Sequence, residues 1–309
     1  MAERSGAERN VGLELSEALA DAAAKAEASV LRVDGGRRHP FTGVAWSGDG
    51  VIVTCEHGLE REEELEVGLP GGETVRAELV GTDPATDLAV LRASAPRIVA
   101  PAWTDAPPRP GSLLLAVSRP GRAIRAGLAV AARVSARQWR TPAGGRLDGY
   151  LELDLSLAPG LSGSLVVGLD GGALGLATAG FVRGAALAIP AATLRRVVTS
   201  ILAHGQVRRG YLGIASFPVH LPAAAARVAG APGGLLLTAV EEESPAGRQG
   251  LLLGDLLLSA DGEPLRHHGD LQPLLEEQRI GETAHLRVLR AGEVRELSIT
   301  IGVRPGAGP

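Results

Sequence analysis

The sequence has little with which to cross-link itself, hold a nucleotide or enter a membrane. Cys55 is its only cysteine, which excludes an internal disulfide and argues against a cysteine-based zinc site. Lys25 is its only lysine, and no G-x-x-x-x-G-K-[ST] loop occurs, so the abundant glycine does not read as a phosphate cradle. No apolar run approaches the roughly 18 residues of a membrane span. The histidines form no H-E-x-x-H pair, and His267-His268 reads as a solvated loop, so no metal or other cofactor is expected. A net charge of −4 gives no reason to expect nucleic acid or an anionic membrane as partner. Residues 1–10 are polar and lack the apolar centre of a secretory leader. Unless the start is misassigned, the expectation is a cytoplasmic protein.

What is present is ordinary globular material: 45% hydrophobic and 21% charged residues over 309 positions, enough for about two domains. Residues 12–29 are rich in Ala, Leu and Glu and predict a helix, with Leu13, Leu15, Leu19 and Ala22 as its apolar stripe. From Val30 onward, short apolar runs such as VIVTC, LAVLRA and LLLAVS alternate with Gly/Pro turn signals. That pattern predicts an all-β barrel or sandwich. A second amphipathic helix is expected over 191–204, ended by Gly205. After Arg208 come strands near 211–215, 234–240, 255–260, 284–290 and 294–301, a helix over 268–279, and a hairpin turn near Ala291. The expected organisation is a flexible N-terminus (1–11), a large β domain (12–205), a small α+β domain (206–303) and a flexible tail (304–309).

Three residues in the β domain suggest nucleophilic catalysis. A serine nucleophile needs a base to take its proton, an acid to fix the base's tautomer, and donors waiting for the oxyanion. Ser162 stands in PGLSGS, where flanking glycines allow a tight turn that aims the N–H groups of Gly160 and Ser162 at one point. His57 leaves the apolar run VIVT, and Asp87 lies where the loop TDPATD enters the apolar run LAVL. Each residue alone is commonplace as a loop, turn or cap. The order His, Asp, Ser inside an all-β domain is that of chymotrypsin-like enzymes and differs from subtilisin-like and α/β-hydrolase orders.

Four segments resemble the HtrA-type serine proteases: DGVIVTCEHGLE around the histidine, GTDPATDLAVLR around the aspartate, APGLSGSLVVGLDGGALGLAT around the serine, and HGQVRRGYLGI leading into a PDZ domain. GLLLTAVEEESPAGRQGLLLGDLLLSADGEPL is similar to the core of that PDZ domain. The resemblance implies a mainly β molecule, a chymotrypsin-like double β-barrel with the active site between the barrels, followed by a small PDZ domain. It implies an ATP-independent endopeptidase that cuts unfolded or damaged proteins, without a cofactor, and that forms a homo-oligomer such as a trimer. Tyr211, Leu212, Gly213 and Ile214 then form the loop that holds a peptide carboxylate, aided by Arg208 and Arg209, with Leu271, Leu274 and Leu275 as the opposite wall. Leu161, Ser164, Leu165, Cys55, Glu56 and Gly58 depart from the family pattern. Ser164 in place of glycine is expected to strain its backbone, and the alternative reading is a weak or inactive protease-fold scaffold that binds C-termini.

Overall fold

The computed structural model describes residues 10–35, 40–59, 64–94, 98–158 and 161–304. The expectations of flexible ends fall largely on 1–9 and 305–309, outside the described residues. The chain divides into two compact units between Val207 and Arg208.

The first unit opens with helix α1 (Val11–Glu27), whose N-cap Asn10 accepts a hydrogen bond from Leu13 N. Its expected apolar stripe is only half used. Leu13 and Leu15 are exposed; burial begins at Leu19 and runs through Ala22 and Ala26. Six strands follow: β1 (Val30–Asp34), β2 (Phe41–Ala45), β3 (Val51–Thr54), β4 (Leu65–Gly68), β5 (Thr74–Asp83) and β6 (Leu88–Ala93). They close into a barrel in the order β1-β2-β3-β6-β5-β4. Then come β7 (Leu113–Ser118), β8 (Arg125–Ser135), the small pair β9 (Trp139–Arg140) and β10 (Arg146–Leu147), β11 (Tyr150–Leu153), β12 (Leu165–Gly168), β13 (Ala173–Thr178) and β14 (Ala186–Pro190). Six of these form a second closed barrel, β11-β14-β13-β12-β7-β8.

Two-sided burial explains the unbroken apolar runs. Every residue of β3 is buried. Ile52 fills the first barrel with Leu31, Val33, Leu65 and Leu91. Val51 and Val53 face a larger core that also contains Val117, Leu165, Leu176 and Ile189 from the second barrel. Strands covered on both faces lose the alternation of half-exposed ones. Helix α2 (Ala191–His204) adds Leu194, Val197, Val198 and Ile201 to the same core and ends on Gly205 at φ +73. Its limits are those the sequence predicts.

The second unit contains β15 (Gly210–Tyr211), β16 (Ile214–His220), α3 (Ala223–Ala229), β17 (Gly233–Val240), α4 (Pro245–Arg248), β18 (Leu256–Ala260), β19 (Glu263–Pro264), β20 (Thr283–Arg290), β21 (Glu293–Thr300) and β22 (Gly302–Val303). Its main sheet runs β16-β17-β18-β20-β21, and β15 pairs with β22. The helix expected over 268–279 is instead two 3₁₀ segments, His268–Leu275 and Glu277–Arg279. Pro273 lies inside the first and supplies no N–H, which stops a regular α-helix. The hairpin near Ala291 is present, with Ala291 at φ +49 and Gly292 at φ +86.

Candidate active site

The first barrel supplies His57 and Asp87 from the exits and entries of adjacent strands. β3 pairs antiparallel with β6, Thr54 opposite Ala89, so the residues just beyond their paired ends meet. His57 lies on a single 3₁₀ turn (Glu56–Gly58) directly after β3. Asp87 precedes β6 and adopts φ +54, a conformation Asp tolerates better than most residues. Three donors fix its carboxylate. His57 Nδ1 lies 2.8 Å from both oxygens, His57 N donates to Oδ1 at 3.0 Å, and Thr178 Oγ1 donates to Oδ2 at 2.5 Å. The Asp87 side chain is 6% exposed, whereas that of His57 is 42% exposed.

These contacts set the protonation states. The hydrogen bond to Asp87 raises the His57 pKa; burial opposes it, and the negative charges of Asp87 and Glu56 add to the rise. Burial pushes the Asp87 carboxyl up, but hydrogen bonds and charge from His57, with Thr178, outweigh it and hold the group below its ordinary value. Glu56 is raised, by burial first and then by the charge of Asp87. Cys55 is fully buried and its thiol is raised well above normal, by desolvation and then by Asp87. It therefore remains a protonated, inert thiol.

One carbonyl of the second barrel links the residue after Ser162 to the segment that carries His57. Ala177 O on β13 accepts Gly163 N–H at 2.8 Å and lies 3.6 Å from Cys55 Sγ. The neighbour of the serine and the residue two before the histidine thus share one acceptor. Gly163 takes φ +85, and a Cβ there would lie 2.0 Å from Thr42 O, so no other residue fits. This corrects the expectation of strain at Ser164. The positive φ falls on Gly163 alone, while Ser164 is buried and bonds Leu161 O through its own hydroxyl. Gly180 also passes close: a Cβ there would stand 2.9 Å from Asp87 Oδ2. Among the described residues no hydrogen bond joins Ser162 Oγ to His57, so the His–Asp half is closed and the Ser–His half is open. Gly160 lies outside the described residues.

Sequence reasoning missed Thr178 as a donor to Asp87. It lies 91 residues further along the chain, and a threonine in an apolar strand gives no signal by itself. Cys55, Asp87 and His57 offer ligand atoms within 4.8 Å of one another, but the aspartate and histidine are already spent on each other and the thiol is held protonated. The set therefore fits an acid–base pair better than a metal site.

The second unit has its own groove, about 500 Å³, between the start of β16 and the 3₁₀ segment. Tyr211, Leu212, Gly213 and Ile214 line it, with Leu271 and Leu275 opposite. Leu274 does not line it; it belongs to the core. Leu212 O accepts from Ala246 N and Gly213 O from Glu241 N, both at 2.9 Å. In trans peptides the N–H points opposite to the preceding C=O. The N–H groups of Gly213 and Ile214 therefore point away from those partners. Arg208 and Arg209 are not among the lining residues, whereas Arg304 and His268 are. The pairing of Gly210 with Val303 brings Arg304 beside the loop, a long-range contact with no local sequence signal.

Comparison with known proteins agrees with this fold. Residues 41–176 match the model of a trypsin-like peptidase domain and residues 210–301 that of a PDZ domain. Among curated relatives, a probable periplasmic serine endoprotease DegP-like of Brucella suis is 31% identical over 275 residues, covering 85% of this chain and 52% of the relative. A protein of the same description from Pseudomonas savastanoi is 30% identical, covering 86% and 56%. The chain spans about half the length of these curated relatives. Solved structures with similar folds include an HtrA-type protease AlgW with decapeptide (TM-score 0.74, 25% identity, 93% of this chain and 99% of that one) and a serine endoprotease from Yersinia pestis (TM-score 0.75, 26% identity, 93% and 98%). The curated relatives are named periplasmic, which overturns the cytoplasmic expectation and points outside the cytoplasm. That expectation rested on a polar opening stretch. Addresses are carried by segments outside folded domains, so the residues that build barrels and sheets hold no trace of them.

Proposed function

This chain belongs to the HtrA/Deg-type serine proteases, and from that premise we propose that it is an ATP-independent serine endopeptidase that cuts unfolded or damaged polypeptides. Ser162 is the nucleophile, His57 its general base, and Asp87 the group that holds the imidazole in one tautomer and stabilises its charged form. The N–H groups of Gly160 and Ser162 serve the oxyanion. One observation supports the reading: a closed His57–Asp87 pair, with the residue after Ser162 and the residue two before His57 sharing Ala177 O. The PDZ groove binds peptide C-termini by adding a strand and holding the carboxylate at Tyr211, Leu212, Gly213 and Ile214, to recruit substrate or regulate the enzyme. Assembly into a homo-oligomer such as a trimer is part of the same proposal.

The test is labelling by a fluorophosphonate, which reacts only with an activated serine. The chain is expected to label and to cleave casein, and Ser162→Ala to abolish both without loss of folded signal by circular dichroism. The open Ser162–His57 gap favours a second reading, a weak or inactive scaffold. Catalytic hydrogen bonds are often long in free enzymes and tighten in the complex, so the gap alone does not decide. Equal silence of native chain and variant, with and without C-terminal peptide, selects the scaffold.

A further inference from the structure

The edge strand β16 contains a proline, and its position sets a limit on the peptide it can pair with. Backbone groups in a strand alternate in direction, so the side each residue serves can be read from its partners. Gly213 O accepts from Glu241 N, and Leu221 N donates to Pro232 O at 2.9 Å, so odd-numbered residues turn their backbone toward β17. Ser216 O instead lies 2.7 Å from His268 Nε2, on the groove side. Even-numbered residues therefore serve the free edge: Ile214, Ser216, Pro218 and His220. Among the described residues β16 pairs only with β17, which leaves that edge open. Pro218 belongs to the groove-side set and has no N–H to offer.

Resting on the carboxylate reading proposed above, we propose that this groove reads only the last three residues of a C-terminal peptide, and that Pro218 ends the ladder. With the carboxylate at the Gly213–Ile214 N–H groups, an antiparallel peptide places its last residue opposite Ile214 and its third-from-last opposite Ser216. Each exchanges two main-chain bonds there, the peptide N–H sharing the Ser216 carbonyl with His268 through its second lone pair. The fifth-from-last residue meets Pro218. Its N–H has an acceptor, but its carbonyl faces the pyrrolidine ring and loses its water without gaining a donor. One bond gained against one carbonyl desolvated leaves about nothing. The partner class is thus a protein end recognised by a free carboxylate and three residues, with little dependence on what precedes them.

The experiment uses the full chain with Ser162→Ala, so that peptides are bound and not cut. N-acetylated peptides of three, five, seven and nine residues share the same last three, ending in an apolar residue, and are lengthened with alanine to add main chain alone. Calorimetry is expected to give affinities within about twofold across the series. In addition, Pro218→Ala is expected to leave the three-residue peptide unchanged and to tighten the longer ones by about two- to tenfold, the value of one restored hydrogen bond. A native affinity that climbs more than about tenfold from three to seven residues overturns the limit, as does indifference of all lengths to Pro218→Ala. Should that variant not fold, N-methylation on the native peptide series reads the same point: methylating the third-from-last residue weakens binding, and methylating the seventh does nothing. Equal losses at both overturn the limit. The C-terminal amide separates the two ideas. If acid and amide bind alike, the carboxylate reading falls and takes this inference with it; if the acid binds better while affinity grows with length, only the limit falls.

Discussion

Asp87 is where the chemistry of the proposed triad is set, because its carboxylate is buried and yet fully supplied with donors. Thr178 provides one of them at the far end of β13, and removing it leaves Asp87 Oδ2 with only the His57 Nδ1–H that the two oxygens share. Thr178→Val is expected to lower turnover about tenfold, the value of one hydrogen bond to a charged group, with Thr178→Ser restoring it. The raised pKa of His57 carries a pH signature. A general base must be neutral, so the acid limb of the rate profile is expected above the ordinary imidazole value of about 6.5. Asp87→Asn removes the main cause, so the limb should move to lower pH while turnover falls by about 10⁴. The stability sign follows from the same pair. A raised His57 stabilises the fold fully below about pH 6.5 and loses this as pH rises through its folded value. A lowered Asp87 stabilises above about pH 3.9 and loses this as pH falls. The melting-temperature gap between native chain and Asp87→Asn is therefore expected to be widest between about pH 4 and 6.5 and to narrow as pH rises through the folded His57 value.

At the scale of elements, the two barrels and α1 are tied by a buried arginine. Arg119 follows β7 in the second barrel and is 1% exposed. Its Nε donates to Val30 O of β1, its guanidinium nitrogens reach Glu27 O, Glu27 Oε1 and Arg122 O, and its backbone N–H donates to Thr42 Oγ1. A charge buried this deeply persists because a carbonyl at the end of α1, a strand carbonyl and the Glu27 carboxylate all accept from it. Arg119→Met keeps much of the volume but orphans those acceptors. It is expected to cost about 2–4 kcal/mol, read as a lower denaturation midpoint in urea with unchanged slope. The PDZ sheet uses Asp255 similarly: Arg290 meets its carboxylate with two nitrogens at 2.7 and 2.6 Å.

At the scale of the whole molecule, selectivity depends on what surrounds the serine. Residues 175–180, GLATAG, carry no acid that could pair with a basic side chain, so cleavage of unfolded casein is expected after small or medium apolar residues. Mapping the new ends by mass spectrometry checks this; a strict preference for Arg or Lys overturns it. The sequence by itself determined the β-rich class, both long helices and the His, Asp, Ser order, because periodicity, caps and glycine-bounded turns are local signals that survive without a partner. It also pointed to residues 211–214, which line the groove, through a resemblance carried by contiguous residues. Only the tertiary structure decided that Thr178 serves Asp87, that Gly163 and Cys55 share the carbonyl of Ala177, that the positive φ falls on Gly163 and not on Ser164, and that Arg304 lies in the groove. Each joins residues whose meeting depends on barrel closure or strand register, and no local pattern encodes a register. Pro273 was visible in the sequence, yet leucine periodicity concealed its consequence: the structure converts the expected helix into 3₁₀ turns because one missing N–H outweighs an apolar stripe.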